Sequence, residues 1–340
     1  MPEPHPLLAP LLALHEHMRD AIVAACERQE VDALAAVDRD DDGDTIYAID
    51  RVSEESLLNG LAPVAIAEPM WVVAEGLSGG GVALPAGTPE SACRWRVLVD
   101  PIDGTRGLMY QKRAAWILTG VAPNRGAATR LSDIVLAVQT EIPLVKQHLC
   151  DQLWAVRGEG VQARRRNRLT NALSSLRPRP SRSDTLRHGF ASVARFFPGA
   201  RDVLGAIDDE VMRAVVGPAA QGKSPCFEDQ YLSTGGQLYE LMVGHDRFVA
   251  DLRPLMAGVL AARGLPLPLC CHPYDLCTAL IATELGLVLT DATGQTLDAP
   301  CNLEANVSWV GYASERLRER VQPALQQALR SRELLPPVET

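Results

Sequence analysis

The segment Val97–Thr105 places two carboxylates beside a glycine and a threonine, a combination that could bind a metal ion and an anion together. An apolar run ends at Asp100, and Asp103 follows three residues later. Carboxylate oxygens are the ligands that Mg²⁺ prefers, and a helical turn starting at Gly104 and Thr105 would point its N–H groups at an anion. This segment therefore favours phosphate chemistry, with an ordinary Asp-rich junction between strand and turn as the alternative.

Three further acidic residues stand at the ends of predicted elements. Asp50 closes a short extended segment, Glu75 closes a strand, and Asp275 lies in the first turn of a predicted helix. An N-cap role for Asp50 and a favourable helix-dipole contact for Asp275 are the structural alternatives. Because no set of His or Cys ligands accompanies these carboxylates, they suit Mg²⁺ better than zinc.

The composition argues against several classes of protein. With 340 residues, of which 47% are hydrophobic and 5% aromatic, the chain is typical of a globular α/β protein with two cored domains. A formal net charge of -9 argues against nucleic-acid binding, and no apolar run is long enough for a membrane span. Eight scattered cysteines without a CxxC pair predict a reduced, cytoplasmic protein, and the absence of Lys or Arg before Arg19 predicts that there is no signal peptide.

The pattern of apolar residues predicts two domains of different architecture, residues 1–175 and residues 176–340, with a Pro-containing break between them. The first domain is predicted to be α+β, with a mostly antiparallel sheet, and the second α/β, with helices on both faces of its sheet. In the first domain we predict helices at 6–28 and 52–61, an extended segment at 46–50, and strands at 71–73, 94–100, 114–121, 134–140 and 152–157. In the second we predict strands at 190–194, 287–290 and 307–311 and helices at 203–216, 238–243, 254–262, 274–285 and 314–330.

The stretch Asp100-Pro-Ile-Asp-Gly-Thr105 resembles the signature of the inositol monophosphatase family, within the fructose-1,6-bisphosphatase-like superfamily of Mg²⁺-dependent, lithium-sensitive phosphatases. Other segments similar to motifs of that family follow in the same order, at Asp44–Asp50, Val72–Gly76, Gly235–Asp246, His272–Asp275 and Glu284–Asp291. The resemblance implies an α/β (α+β) chain with the two-domain, layered αβαβα sugar-phosphatase fold.

The resemblance also implies a set of metal ligands. Glu75, Asp100 and the carbonyl of Ile102 would hold a first Mg²⁺. Asp100, Asp103 and Asp275 would hold a second, in a site for two or three ions.

The catalytic and substrate-binding roles come from the same resemblance. Asp50 and Thr105 would orient and deprotonate the attacking water, and Glu75 counts as catalytic as well as metal-binding. The backbone N–H groups of Gly104 and Thr105 would bind the phosphate, with Arg106 beside them.

Departures from the family pattern bear on the choice of substrate. Pro268 stands where inositol-specific relatives carry a carboxylate, so the sequence does not favour inositol phosphate. Arg106 lies next to the predicted anion site, and Lys112 and Arg113 follow closely, which favours a leaving group with a second anionic group. The alternative for Arg106 is a structural pair with a nearby acid.

Two other groups of residues have simpler interpretations. Four arginines between Arg164 and Arg168 are predicted to lie on a solvated hairpin or loop, with a patch that steers an anionic substrate as the alternative. Cys270, Cys271 and Cys277 are predicted to be small buried thiols, since the adjacent pair lacks the spacer of a zinc site.

We therefore expect Mg²⁺-dependent hydrolysis of a small phosphate monoester, in a cleft between the two domains. A sugar-bisphosphate or phosphonucleotide phosphatase of the same superfamily is the first alternative, and a catalytically silent homologue with a regulatory role is the second. The expected partner is a small phosphorylated metabolite, with no nucleic acid and no membrane, and analogy with relatives suggests a homodimer. The presence of all five expected acidic residues argues against the silent homologue.

Overall fold

A computed structural model describes residues 4–28, 37–41, 44–77 and 79–336, with side chains from 4–28, 56–77 and 79–336. The helices are α1 (Leu8–Arg28), α2 (Ala48–Ala65), α3 (Thr105–Met109), α4 (Arg201–Val216), α5 (Thr234–Val243), α6 (Ala257–Ala262), α7 (Ala279–Glu284) and α8 (Glu315–Arg330). The strands are β1 (Val37–Asp41), β2 (Asp44–Tyr47), β3 (Met70–Ala74), β4 (Val82–Leu84), β5 (Trp95–Asp103), β6 (Ala115–Pro123), β7 (Leu136–Ile142), β8 (Leu149–Val156), β9 (Val161–Asn167), β10 (Leu173–Ser175), β11 (Phe190–Val193), β12 (Asp246–Asp251), β13 (Val288–Thr290) and β14 (Trp309–Tyr312).

The larger sheet has eight strands in the order β10-β9-β8-β7-β6-β5-β3-β4. Only the β3–β5 pair is parallel, and the other pairs of this sheet are antiparallel, as the sequence predicts. Inside this sheet the buried side chains alternate between its two faces. Along β5, for example, Val97 and Val99 contact one core and Leu98 the other. Apolar side chains on both faces explain why the central strands lack a simple hydrophobic–polar alternation.

The smaller sheet has four strands in the order β11-β12-β14-β13, and helices cover both of its faces. Helices α4 and α8 pack on its outer face, where Leu204 and Leu317 meet Val310 of β14. Helices α5 and α7 fill the space between the two sheets, and α1 and α2 cover the outer face of the larger sheet. The predicted αβαβα layering is therefore confirmed.

The middle layer joins the two halves of the chain. Its core contains Leu118 and Leu153 from the larger sheet, Leu238 and Ile281 from the middle helices, and Trp309 from the smaller sheet. The larger sheet ends at 175 and the smaller one begins at 190, and the division into domains 1–175 and 176–340 stays a proposal.

Some predicted boundaries were wrong for local reasons. The extended segment predicted at 46–50 is shorter, because α2 begins at Ala48 and includes the backbone of Asp50. The helices predicted at 254–262 and 274–285 each begin as a separate 3-10 turn, Arg253–Met256 and Tyr274–Leu276, followed by α6 and α7. A periodicity of apolar residues cannot distinguish one continuous helix from two short ones in tandem.

The arginines at 164–168 lie in and just after β9, on the predicted hairpin, which β9 forms with β10. Each guanidinium pairs with an acid, so the group does not form an open patch for a substrate. Three of the pairs join β9 to α1, and we call them the α1 clasp; the fourth is within the sheet. The pairs are Arg164 with Glu16, Arg166 with Asp20, Arg168 with Glu27, and Arg165 with Asp151.

The structure contains free thiols and no candidate membrane span among the residues it describes. All eight cysteines are unpaired, and seven of them are buried, including the three predicted to be so. In the ranges 4–28, 37–41, 44–77 and 79–336, no helix combines the length and the apolar character needed to cross a bilayer.

A buried histidine fixes α1 to the larger sheet. The ring of His15 lies between two threonines, with Nε2 2.8 Å from Oγ1 of Thr119 and Nδ1 3.0 Å from Oγ1 of Thr140. Burial, with a smaller effect from the charge of Arg19, lowers the pKa of His15 to about 3. The folded state therefore holds this ring neutral at physiological pH.

This histidine should make the fold sensitive to mild acid. The unfolded chain binds a proton at His15 below about pH 6.5, whereas the folded chain resists it down to about pH 3, so stability falls as the pH drops below about 6.5. The advantage in unfolding free energy of the wild type over His15→Gln should shrink by about 2 kcal/mol between pH 7 and pH 5, measured by urea denaturation. His17→Gln, on the exposed side of the same helix, is the control and should show no such change. A pH-independent difference between wild type and His15→Gln would contradict this assignment.

Candidate active site

A bulge in β5 brings the two carboxylates of the central motif to one side of the sheet. Asp100 pairs with Leu118 of β6, and Asp103 pairs with Trp116. An advance of three residues along β5 therefore corresponds to an advance of only two residues along β6. In a regular strand, residues three apart point to opposite faces, and the extra residue of a bulge removes that opposition. The backbone N–H of Ile102 then donates to Oδ1 of Asp100 over 3.0 Å and fixes its orientation.

The start of α5 holds Asp103. Ser233 donates its hydroxyl to Oδ2 of Asp103 over 2.9 Å, and the backbone N–H groups of Thr234 and Gly235 donate to the same carboxylate. The positive end of a helix dipole favours a carboxylate at this position. Gly235 is required here, because a Cβ would lie 2.8 Å from the Asp103 oxygen and 2.6 Å from Leu118.

The third carboxylate, Asp275, comes from the other half of the chain. It lies in the 3-10 turn Tyr274–Leu276 and accepts a hydrogen bond from the backbone N–H of His272. This turn packs closely on β6, where a Cβ on Gly120 would lie 2.5 Å from the carbonyl oxygen of Cys277. The close approach allows Asp275 to reach the carboxylates of β5.

Asp100, Asp103 and Asp275 form one acidic cluster, in which one oxygen of each carboxylate lies within 4.8 Å of the others. Burial first, and then the charges of Glu75, Asp103 and Asp275, raise the pKa of Asp100 well above its usual range. Burial also raises the pKa values of Asp103 and Asp275, although hydrogen bonds from α5 oppose the rise at Asp103. The ligand set is entirely oxygen, as a hard divalent cation requires.

The other predicted metal-site residues border the same cleft. Glu75 follows β3 and lines the cleft close enough to Asp100 for their side chains to hydrogen-bond. The carbonyl of Ile102 accepts the hydroxyl proton of Thr105 over 2.8 Å and has a second lone pair. The backbone of Asp50 belongs to the first turn of α2, and its side chain lies outside the described residues.

The predicted anion-binding residues stand directly beside the acidic cluster. Gly104 has a φ of 96°, a left-handed conformation that favours glycine, and α3 begins at Thr105. Gly104, Thr105 and Arg106 all line the cleft with the carboxylates. Lys112 and Arg113 do not line it: Lys112 is exposed, and Arg113 pairs with Asp229 over 2.7 Å.

One wall of the cleft was not predicted from the sequence. Phe196 and Phe197 follow β11, and Arg253 follows β12, and all three side chains line the same cleft as Asp103. The available signal was a charged pair, Asp251 and Arg253, directly after an apolar strand. The insertion between Leu252 and Cys271 hid it, because the resemblance is weakest there.

Comparison with solved structures identifies the fold. The chain is similar to a fructose-1,6-bisphosphatase from Leishmania major in its holo form, with a TM-score of 0.68 and 12% identity over 97% of this chain and 96% of that one. It is also similar to the extragenic suppressor protein SuhB from Bartonella henselae, with a TM-score of 0.64 and 16% identity over 94% of this chain and 98% of that one. A third similar structure is that of an inositol monophosphatase–fructose 1,6-bisphosphatase, with a TM-score of 0.60 and 17% identity over 91% of this chain and 98% of that one.

These likenesses show that the chain shares the fold of those three proteins along nearly its whole length. No protein-family model matches the sequence. A comparison with curated proteins finds no significant relative.

The acidic cluster should make the fold respond to divalent cations. Three carboxylates this close repel one another when ionised, so Mg²⁺ should stabilise the folded chain by about 1.4 kcal/mol at ten times its Kd, with EDTA reversing the gain. In Asp100→Asn the gain should be lost, while stability in EDTA should equal or exceed that of the wild type, because the amide cannot ionise beside the other carboxylates. Thermal melting measures both quantities.

Asp209→Asn, at an exposed position of α4, is the matched control for this charge change and should keep the full response to Mg²⁺. An equal Mg²⁺ response in Asp100→Asn and in the wild type would show that the cation binds elsewhere.

Proposed function

We propose that this protein is a Mg²⁺-dependent phosphatase that hydrolyses a small phosphate monoester. The observation that supports it is the convergence of Asp100, Asp103 and Asp275 beside the turn at Gly104 and Thr105. This arrangement occurs on a fold that is also found in an inositol monophosphatase–fructose 1,6-bisphosphatase and a fructose-1,6-bisphosphatase. An oxygen-only metal site next to an anion-binding turn suits phosphoryl transfer better than other hydrolytic chemistry.

The residues present fit Mg²⁺. The cluster offers carboxylate oxygens alone, and burial raises the pKa values of all three carboxyls, as expected of an acidic site that a cation completes. We assign Glu75, Asp100 and the Ile102 carbonyl to one ion and Asp100, Asp103 and Asp275 to another, in a site for two or three ions. When bound, Mg²⁺ neutralises phosphoryl oxygens and acidifies water.

The chain itself supplies orientation and proton transfer. In our assignment the backbone N–H groups of Gly104 and Thr105 hold the phosphate, and Arg106 lies beside them. The hydroxyl of Thr105 donates its proton to the Ile102 carbonyl, which orients its oxygen as an acceptor towards the attacking water. In the same assignment, the carboxylates of Asp50 and Glu75 serve as the groups that accept the proton of that water.

Two alternatives differ in substrate or in activity. A sugar-bisphosphate or phosphonucleotide phosphatase would use the same machinery with a more highly charged leaving group. A silent regulatory homologue would bind ligands without turnover. Release of inorganic phosphate from a panel of monoesters, with Mg²⁺ and with EDTA, separates these cases. Our proposal also includes a cytoplasmic location, a small phosphorylated metabolite as partner and a homodimer by analogy, with no nucleic-acid or membrane partner.

Substitutions in the central motif should separate metal binding from the orientation of water. Asp103→Asn should lower kcat at least about a hundredfold and weaken Mg²⁺ binding, because it removes a ligand charge. Thr105→Ala should lower kcat by a similar factor with a smaller effect on Mg²⁺ affinity, because its hydroxyl positions water. Steady-state phosphate release at several Mg²⁺ concentrations measures both effects. Turnover near that of the wild type in Asp103→Asn would rule out this use of the cluster.

A third substitution tests the residue beside the anion turn. Arg106→Ala should raise KM more than it lowers kcat, since a contact with a substrate anion is present in both the ground state and the transition state. The same kinetic assay measures both constants. If Arg106 serves only to pack on Phe197, whose ring centroid is 5.5 Å from its guanidinium carbon, KM will not change.

A further inference from the structure

The wall of the cleft formed by Phe196, Phe197 and Arg253, here called the arginine wall, contains a charged side chain that the proposed chemistry does not use. Arg253 is only 5% exposed, yet it lines the cleft that holds Asp103 and Asp275. A buried guanidinium requires partners that replace its lost hydration.

Arg253 is held rigidly from two sides. Its Nε lies 2.9 Å from Oδ1 of Asp251, and its Nη2 donates to Oδ2 of the same carboxylate, which is fully buried. Its Nη1 donates to the carbonyl of Leu269 over 2.8 Å. The ring of Phe196 stacks against it, with the guanidinium carbon 4.4 Å from the ring centroid.

These contacts use three of the five N–H groups of Arg253. The second N–H of Nη1 and the second N–H of Nη2 have no acceptor in the part of the chain that the structure describes. A pair of N–H donors on one planar group matches the two oxygens of a carboxylate or phosphate. A buried ion pair adds little to stability over apolar packing, so stability alone does not explain an arginine at this position.

The aromatic rings of the wall pack against Arg106 and Arg253, which leaves little ring surface on which a nucleobase could stack. Phe197 faces Arg106 with its ring centroid at 5.5 Å and Arg253 with its centroid at 5.3 Å, while Phe196 faces Arg253. The two rings meet edge to face with centroids 5.1 Å apart. The wall is therefore suited to an anionic group rather than to stacking of a flat ring.

We propose that Arg253, oriented by Asp251 and Phe196, binds a second anionic group, a carboxylate or a phosphate, on the leaving group of the substrate. This inference rests on the proposed phosphatase function and names its substrate class. The scissile phosphate would lie at Gly104 and Thr105, and the second anion at the arginine wall.

Matched pairs of substrates test the inference through the ratio of kcat/KM for the doubly anionic member to kcat/KM for the singly anionic member. Glycerol 3-phosphate and 3-phosphoglycerate differ by a carboxylate, and fructose 6-phosphate and fructose 1,6-bisphosphate differ by a phosphate. We expect kcat/KM to be at least about tenfold higher for the doubly anionic member of one or both pairs. The pair with the larger ratio identifies which anion the wall prefers.

Two variants change the wall without leaving a buried charge unpaired. Arg253→Lys keeps a positive charge beside Asp251 but loses the planar pair of donors, and should lower the ratio at least about threefold. The double variant Asp251→Asn, Arg253→Gln removes both charges and should lower it at least about tenfold. A general loss of folding would lower both members of a pair equally and leave the ratio unchanged. Arg113→Gln is the control, because Arg113 pairs with Asp229 outside the cleft, and should keep the wild-type ratio.

Binding without turnover separates this inference from the proposed function. Calorimetry with Mg²⁺ and the unreactive pair 3-phosphonopropionate and propylphosphonate should show tighter binding of the former, and the difference should vanish in the double variant. Equal ratios and equal affinities in the wild type and both variants would overturn the role of Arg253. Absence of hydrolysis for every substrate, with the affinity difference intact, would instead refute the phosphatase function and leave the anion site standing.

Discussion

The costliest feature of this structure is the burial of three carboxylates within one small space, and the surrounding elements are arranged to make it possible. Like charges in a poorly hydrated site repel one another, and after burial itself the neighbouring carboxylates raise the pKa of Asp100, as Asp103 raises that of Asp275. The bulge in β5, the start of α5 and the close-packed 3-10 turn each fix one carboxylate in spite of that repulsion. Glycines at positions 120 and 235 provide the space, because a side chain at either would collide with the backbone or the carboxylates.

The layered architecture follows from the same requirement. Asp100 and Asp103 belong to the larger sheet, and Asp275 and Arg253 to segments from the second half of the chain. Helix α5 lies between the sheets and contributes its apolar side to the shared core and its N-terminus to Asp103. Since one helix serves both the core and the acidic cluster, displacement of the middle layer would disturb both.

Much of the fold, and the central part of the site, could be predicted from the sequence. Asp100, Asp103 and Gly104 occur together in one short segment, so local chemistry was enough to group them. The αβαβα layering came from the resemblance in motif order, and the periodicity of apolar residues supported it. In contrast, Asp251 and Arg253 gain significance only because the end of β12 lies beside the cleft, which is a tertiary fact that no local pattern contains.

The bulge in β5 and the arginines of β9 show two other limits of prediction from the sequence. A spacing of three residues in a strand does not itself reveal a bulge, so the convergence of Asp100 and Asp103 depended on hydrogen-bond register with β6. Four arginines within five residues do not themselves reveal which acids they pair with, and three of those acids lie in α1, far away in sequence. Asp50 lies outside the described side chains, and its role stays a prediction.

The α1 clasp links the beginning of the chain to residues made much later. Arg164 and Glu16 are separated by 148 residues, and Arg168 and Glu27 by 141. At ribosomal elongation rates of about 5–20 residues per second, the arginines are synthesised roughly 7–30 s after the helix that they hold. During that interval the apolar side of α1, with Met18 and Ile22, has no finished sheet to cover it. Helix α1 can therefore complete these contacts only after residues 164–168 have been synthesised.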